Sequence, residues 1–274
     1  MLRPAAALAT LLAIFGAAFA VGRAIGDGGK DEPARDGGMA GMAGDHAAAD
    51  AAHGLGVAEN GLRLLAPSTL RAGAAAPFRF RVVDDAGATV RAFDVEHTKR
   101  LHFIAVRRDL TGFQHLHPEQ DAAGAWRTNL TLREPGAYRV FADFTPSGGE
   151  ATTLASDVLV GGAFAPRALP APATRVRVDG YDVALRAGGG RDATLRFSVS
   201  RDGRPVAVQP YLGAAAHLVA LRAGDLAYLH VHPLEGKGIA FAATYPSAGR
   251  YRLFLQFRHG GRVHTAAFTQ AVSS

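Results

Sequence analysis

"HFIAVRRDLTGFQHLHP" (102–118) and "HLVALRAGDLAYLHVHP" (217–233) are two versions of one phrase, 115 positions apart. They align without a gap. His102 falls on His217, Ala105 on Ala220, Arg107 on Arg222, His115 on His230, His117 on His232 and Pro118 on Pro233. Ile104/Val219, Phe113/Tyr228 and Leu116/Val231 keep their apolar character. Working outward, the upstream "GATV" (87–90) matches "GRPV" (203–206). With a two-residue deletion, Gly136-Ala137-Tyr138-Arg139 matches Gly249-Arg250-Tyr251-Arg252, and Phe144 matches Phe257. The chain is an internal duplication of a unit of roughly 100 residues, an ordinary domain size.

Each unit is written in short alternating segments separated by turn residues, such as "FRFRVVDDAGATV", "WRTNLTLREPGAYRVFADF" and "GRYRLFLQFRHGGRVHTAAFTQAV". Period-two alternation predicts strands and hairpins, and no stretch carries a helical stripe. About eight short strands per unit, with a Gly-x-Tyr entering a late strand, predict an immunoglobulin-like sandwich whose tyrosine pins that strand. Trp126 reads as core. The fold expected is all-β: two tandem immunoglobulin-like β-sandwich domains from an internal duplication, preceded by an N-terminal membrane-targeting helix. The boundaries read as 1–24 for a signal-anchor or signal peptide and 25–58 for a flexible Gly/Ala/Met/His linker. Repeat 1 then spans 59–163, a Pro-rich linker 164–173, and repeat 2 174–274.

Composition narrows the function. The 274 residues include no cysteine, which excludes disulfides, thiolate metal sites and a cysteine nucleophile. The net charge is +6, yet the arginines are scattered singly and lysine occurs only at 30, 99 and 237. With no basic run and no aromatic platform, nucleic acid is not an expected partner. After Arg3, about 19 uncharged residues precede "RAIGDGGKDEPARDGG", the pattern of a membrane-targeting segment. "AFA" (18–20) fits a signal-peptidase site, whereas the long apolar run fits a retained anchor. Either places the bulk of the chain outside the cytoplasm.

The repeated histidines carry the chemistry. On a strand, residues i and i+2 share a face, so His115 and His117 project together, as do His230 and His232. A tight turn at Gly224-Asp225 sets His217 opposite His232; a four-residue loop, Asp109–Gly112, sets His102 diagonal to His117. Opposed residues have Cβ atoms about 5 Å apart, so each unit converges three imidazoles. Metal–nitrogen bonds of about 2 Å make that spacing fit a shared ion. Pro118 and Pro233 end the strands just beyond, near the sandwich rim. The expected metal ligands are His102, His115 and His117, and His217, His230 and His232. They form one site per repeat or a single site across the domain interface. Accessory candidates are Met39, Met42, His46 and His53 in the linker, and His264. Thioether and imidazole together suit a copper ion; zinc is the alternative. Glu96-His97 aligns with Tyr211-Leu212 and belongs to the first copy alone, and Asp143, aligned with Gln256, reads as surface.

The "HLHP"/"HVHP" phrases, the "PGAYRVFADF"/"AGRYRLFLQF" strands and the N-terminal segment resemble a group of exported bacterial proteins. These are tandem immunoglobulin-like β-sandwich proteins associated with copper or heavy-metal handling, of the YtkA-like and copper-resistance kind. The likeness covers about 60–274. It implies a non-catalytic, extracytoplasmic copper-binding role in metal sequestration or delivery, with a metal-transfer protein as partner. This sequence lacks the mature N-terminal histidine and the Met-rich sandwich loop of better-defined copper carriers. No nucleophile elbow, phosphate loop, HExxH or paired-carboxylate motif is present, so no catalysis is expected. The competing reading is a membrane-tethered interaction module whose histidines are structural. A metalloenzyme with three imidazole ligands and an open position ranks third.

Overall fold

The computed structural model describes residues 52–188, 190–229, 231–236 and 238–273. The N-terminal helix expected from the sequence, and Met39, Met42, His46 and His230, lie outside the described residues. All regular structure among those residues is strand. Repeat 1 runs through β1 (Ala58–Glu59), β2 (Leu62–Leu65), β3 (Thr69–Leu70), β4 (Ala76–Asp84) and β5 (His102–Arg107). It continues through β6 (Gln114–Leu116), β7 (Glu119–Gln120), β8 (Trp126–Leu130), β9 (Gly136–Phe144) and β10 (Thr152–Val160). One sheet is ordered β1-β2-β4-β8-β7, the other β3-β10-β9-β5-β6. Leaving aside the short β1 and β3, this is the ABED and GFCC′ arrangement of an immunoglobulin-type sandwich.

Repeat 2 repeats the plan. Its strands are β11 (Arg175–Val178), β12 (Tyr181–Ala187), β13 (Asp192–Arg201), β14 (Arg204–Pro205) and β15 (His217–Arg222). Then follow β16 (Tyr228–Leu229), β17 (Val231–Pro233), β18 (Ile239–Thr244), β19 (Gly249–His259) and β20 (Arg262–Val272). The sheets are β11-β12-β13-β18-β17 and β16-β15-β19-β20. The tyrosine corner occurs in both copies: Tyr138 Oη donates to Glu134 O (3.0 Å) and Tyr251 Oη to Ser247 O (2.7 Å). The duplicated arginines also have one job, since Arg107 grips Asp109 (2.6 Å) and Arg222 grips Asp225 across the β5–β6 and β15–β16 turns.

Each sandwich has its own core. Phe78, Phe80, Phe103 and Trp126 lie in the first; Leu195, Phe197, Leu253 and Phe268 lie in the second. A third apolar cluster joins the repeats. Ile104, Val106 and Phe141 meet Val219, Leu221, Tyr228 and Phe254, so the β5–β9 and β15–β19 sheets pack face to face. All six residues of β5 are buried because Phe103 and Ala105 face their own core while Ile104 and Val106 face the other repeat. Phe113 stacks on Phe254 (4.0 Å, 9°), and Tyr228 packs against Phe141 (5.7 Å). Phe113 aligns with Tyr228 and Phe141 with Phe254, so the two contacts exchange with one another. That is the mark of a pseudo-two-fold axis.

The segment at 53–56, read from sequence as part of a flexible linker, is bonded to both repeats. Tyr228 N–H donates to His53 O (2.9 Å), Gly54 N–H to Thr153 O (3.1 Å) and Ala155 N–H to Gly56 O (2.8 Å). Arg139 donates to Gly54 O (2.9 Å) and Leu55 O (2.6 Å). Main-chain pairing leaves no apolar periodicity to read, which is why the sequence hid it. Gly54 has φ +64°, and a Cβ there would meet the Phe141 ring at 2.9 Å and Tyr228 Cβ at 3.2 Å. Gly54→Val is expected to cost about 2 kcal/mol or more in urea unfolding. Gly161→Ala, with nothing within 4 Å of its new Cβ, should be near neutral.

Candidate metal centre

At one end of the apolar seam, histidines of both repeats converge. β5 pairs with β6 as Phe103↔Leu116 and Ile104↔His115, which puts His115 on the face of Ile104. One step further places His117 directly across from His102. The hairpin loop is therefore Arg108–Thr111, closed by Arg107 N–H donating to Thr111 O (2.8 Å), not Asp109–Gly112 as the sequence suggested. The correction makes the pair opposed instead of diagonal; the parity holds.

The pseudo-two-fold then brings in His217, the counterpart of His102. Their rings stack at 5.3 Å and 9°, and His115 lies 4.7 Å from His217 and 4.7 Å from His117. One nitrogen each of His102, His115 and His217 lies within 4.8 Å of the others. His102 Nδ1 and His115 Nε2 are 3.0 Å apart. Their remaining nitrogens are engaged outward: His115 Nδ1–H donates to Gln256 Oε1 (2.6 Å) and His102 Nε2–H to Glu96 O (3.2 Å). Nε2 of His117 and of His217 are buried without a hydrogen-bond partner among the described residues.

Burial dominates the electrostatics. It lowers the His115 pKa to about 3, helped by His102 and His117, and that of His117 to about 4, helped by His102 and Lys99. His217 is held well below its ordinary value by burial and then by His115 and His102. His102 is lowered by burial, against the nearby Asp143 carboxylate and the Glu96 carbonyl. At neutral pH the cluster is a set of uncharged imidazoles with nitrogen lone pairs, the form that ligates metals.

Three expected ligands, one of the six and two accessory candidates, fall elsewhere. β17 leaves the histidine-bearing sheet and pairs with β18 as Val231↔Ala243, His232↔Ala242 and Pro233↔Phe241. Val231 packs against the core of repeat 2, so alternation turns His232 out to solvent, and it makes no ring contact with the cluster among the described residues. His264 is buried beside Tyr181 and Phe257, with Nδ1 2.8 Å from Asp179 Oδ2. It belongs to a separate polar group with the Tyr181–His259 pair. His53 sits in the N-terminal strap, its Nδ1 3.7 Å from the Glu59 carboxylate. Two contributors went unrecognised in the sequence. Gln256 is buried and bonded to His115; Asp143 is half-buried, accepting from Thr153 Oγ1 (2.9 Å) and Tyr228 Oη (3.3 Å). Each pairs with the first histidine of its own repeat, as His102↔Asp143 and His217↔Gln256, and that shared alignment was the available signal. His97, which the sequence marks as particular to the first copy, approaches the rings of His217 (5.7 Å) and His102 (6.0 Å).

A single family profile, described as "Domain of unknown function (DUF8832)", matches this chain twice, over residues 57–162 and 176–274. The chain belongs to that family. Both DUF8832 segments coincide with the two sandwiches, and the Pro-rich connector falls between them. No curated protein matches. Among solved structures, the N-terminal Ig1-2 module of the Drosophila receptor protein tyrosine phosphatase DLAR aligns over 78% of this chain and 99% of its own. Its identity is 9% and its TM-score 0.22. Fibronectin(III)-like modules of Clostridium thermocellum CbhA align over 77% and 94%, at 12% identity and TM-score 0.22. A putative membrane anchored protein from Corynebacterium diphtheriae aligns over 78% and 57%, at 8% identity and TM-score 0.24. The sandwich assignment of the DUF8832 repeats rests on strand order, not on these likenesses.

The lowered imidazole pKa values fix a pH dependence. Unfolded histidines titrate near 6.5, so below that pH the unfolded chain binds more protons than the folded one, and folding weakens with acid. In chelator-treated protein, stability is expected to be full above pH 7 and to fall steadily from pH 6.5 towards 4. Each imidazole that stays neutral contributes up to about 1.4 kcal/mol per pH unit. Urea midpoints at pH 7.5, 6 and 5 test this; His217→Gln should flatten the slope, and a pH-independent midpoint for the parent would contradict it.

Proposed function

We propose that this DUF8832 protein is an extracytoplasmic metal-binding protein that holds one ion between its repeats, for sequestration or delivery. One contact carries the reading. A neutral imidazole has a single N–H. His115 and His102 donate theirs to Gln256 and Glu96, so His102 Nδ1 and His115 Nε2 present lone pairs to each other at 3.0 Å. A shared proton would charge a ring, which burial opposes. A metal ion accepts both pairs at once, and two nitrogens on a tetrahedral ion with 2.0–2.1 Å bonds are about 3.3 Å apart. The outward bonds fit the usual second layer of a metal site, where the far N–H of each ligating histidine is fixed by a carbonyl or carboxylate. His217 supplies a third ligand, and His117, whose ring lies against those of His102 and His115, is the candidate for a fourth. Nε2 of His217 and of His117 lack a hydrogen-bond partner among the described residues, which costs roughly 1–3 kcal/mol each and which ligation would offset.

Copper is the favoured ion, with zinc the alternative. An all-imidazole set accepts Cu(II) or Zn(II), the Irving–Williams order favours copper, and the linker methionines Met39 and Met42 suit Cu(I). The N-terminal sequence pattern supports a membrane-anchored or exported protein, and the absence of catalytic motifs supports a non-enzymatic role. A metal-transfer protein fits as partner.

A second reading has its own observation: the His115–Gln256 bond and the flat His102–His217 stack join the repeats without an ion. There the histidines are mortar in a surface interaction module. Calorimetric titration of the full chain in detergent with Cu(II) and Zn(II) separates the two. The metal reading predicts one equivalent bound tighter than about micromolar, lost in His115→Ala by more than the roughly 10–100-fold worth of an outer partner. His232→Ala should bind normally. Weaker binding, or an unaffected His115→Ala, would leave the structural reading standing.

A further inference from the structure

We infer that His97, carried on the two-residue turn between Glu96 and Lys99, is the exchange ligand through which a hydrated metal dication enters and leaves the imidazole cluster. The inference rests on the reading of that cluster as a metal site. His102 is 4% exposed and His115, His117 and His217 are half-buried, whereas His97 is exposed. Among the described residues it is the one exposed imidazole in ring contact with the cluster. Its ring meets His217 and His102 edge-on, at 73° and 69°. Like His117 it stands outside the group of three whose nitrogens lie within 4.8 Å of one another, and unlike His117 it is open to solvent. That placement, beside the ligands without being one of them, suits a group that binds the ion in passing.

The backbone holds His97 there at a cost. Glu96 and Lys99 exchange both main-chain bonds (2.8 and 2.9 Å), and the central residues have φ +46° at His97 and +68° at Thr98. Such turns favour Asn-Gly, and a β-branched residue with positive φ is an outlier. Repeat 2 builds the same turn from Tyr211 to Ala214 with Leu212 (φ +54°) and Gly213 (φ +80°) at its centre. There the strain is relieved by glycine, and the histidine is replaced by a buried leucine that cannot ligate. The first-copy turn is also tied to the site: Glu96 O accepts from His102 Nε2–H, and the Glu96 carboxylate accepts from Thr145 Oγ1.

The steps balance as plain ligand exchange. A His97 ring nitrogen replaces one water on the incoming dication, and that water returns to solvent. Imidazoles of His102, His115 and His217 then replace further waters, His97 is released, and no electron is transferred. Stepwise replacement avoids stripping the whole hydration shell before any protein bond forms, a cost of many kcal/mol for a bare ion.

Stopped-flow uptake of Zn(II) and Cu(II) by the full chain, and release to EDTA, test this against calorimetric affinity. His97→Asn keeps a residue that tolerates positive φ. It is expected to slow uptake and release together by about tenfold or more, as for about 1.4 kcal/mol on the barrier, with the dissociation constant little changed. Thr98→Gly keeps the imidazole, relaxes the turn, and should leave both rates at parental values. Unchanged rates in His97→Asn would overturn the inference. So would a large loss of affinity with an altered Cu(II) spectrum, which would make His97 a resident ligand. If the parent itself takes up no metal, the underlying reading fails and the inference falls with it.

Discussion

The apolar seam between the two histidine-bearing sheets is the contact on which the rest of the molecule depends. Ile104, Val106 and Phe141 of one repeat are buried in one cluster with Val219, Leu221 and Phe254 of the other. At roughly 1.5–3 kcal/mol for each large apolar side chain buried, this third cluster is comparable to the net stability of a domain. It also fixes where every other feature can sit. Packed about a pseudo-two-fold axis, the sheets bring His102 onto His217, and neither repeat alone could build that arrangement.

Duplication followed by divergence explains the asymmetry of the site. The seam uses the copies nearly equivalently, as the exchanged Phe113–Phe254 and Tyr228–Phe141 contacts show. Around the imidazoles the copies differ: Asp143 against Gln256, His97 against Leu212, Thr98 against Gly213. The same drift appears far from the site. Asn60 donates to Thr152 (3.2 Å) in repeat 1, and the corresponding residues in repeat 2 are the Asp179–His264 pair (2.8 Å). Only at the seam do these differences meet, turning a doubled histidine phrase into one composite cluster with a charged flank, an amide flank and, among the described residues, a single exposed imidazole.

Much of this was legible in the sequence because it is local. Strand positions, the tyrosine corners and the shared face of His102, His115 and His117 follow from period-two alternation and turn chemistry over a few residues. What could not be read depends on distant packing. The parity of "VHP" says that Val231 and His232 point opposite ways, but not that the strand changes sheets and sends His232 to solvent. Whether one cluster or two forms depends on docking between repeats. A hint was present: "HFIAVR" and "HLVALR" are apolar at successive positions rather than alternating, as expected of strands covered on both faces. The strap at 53–56 left no such trace, since glycines and main-chain bonds hold it.

The central claim is that one ion is ligated by imidazoles from both repeats. X-ray absorption at the metal edge, on the chain loaded with one equivalent of Cu(II) or Zn(II), addresses it directly. The account predicts three or four imidazole nitrogens at about 2.0 Å, with ring multiple scattering, and one fewer when His217→Ala removes the ligand from the second repeat. A shell of oxygens, or an imidazole count unchanged in His217→Ala, would contradict it.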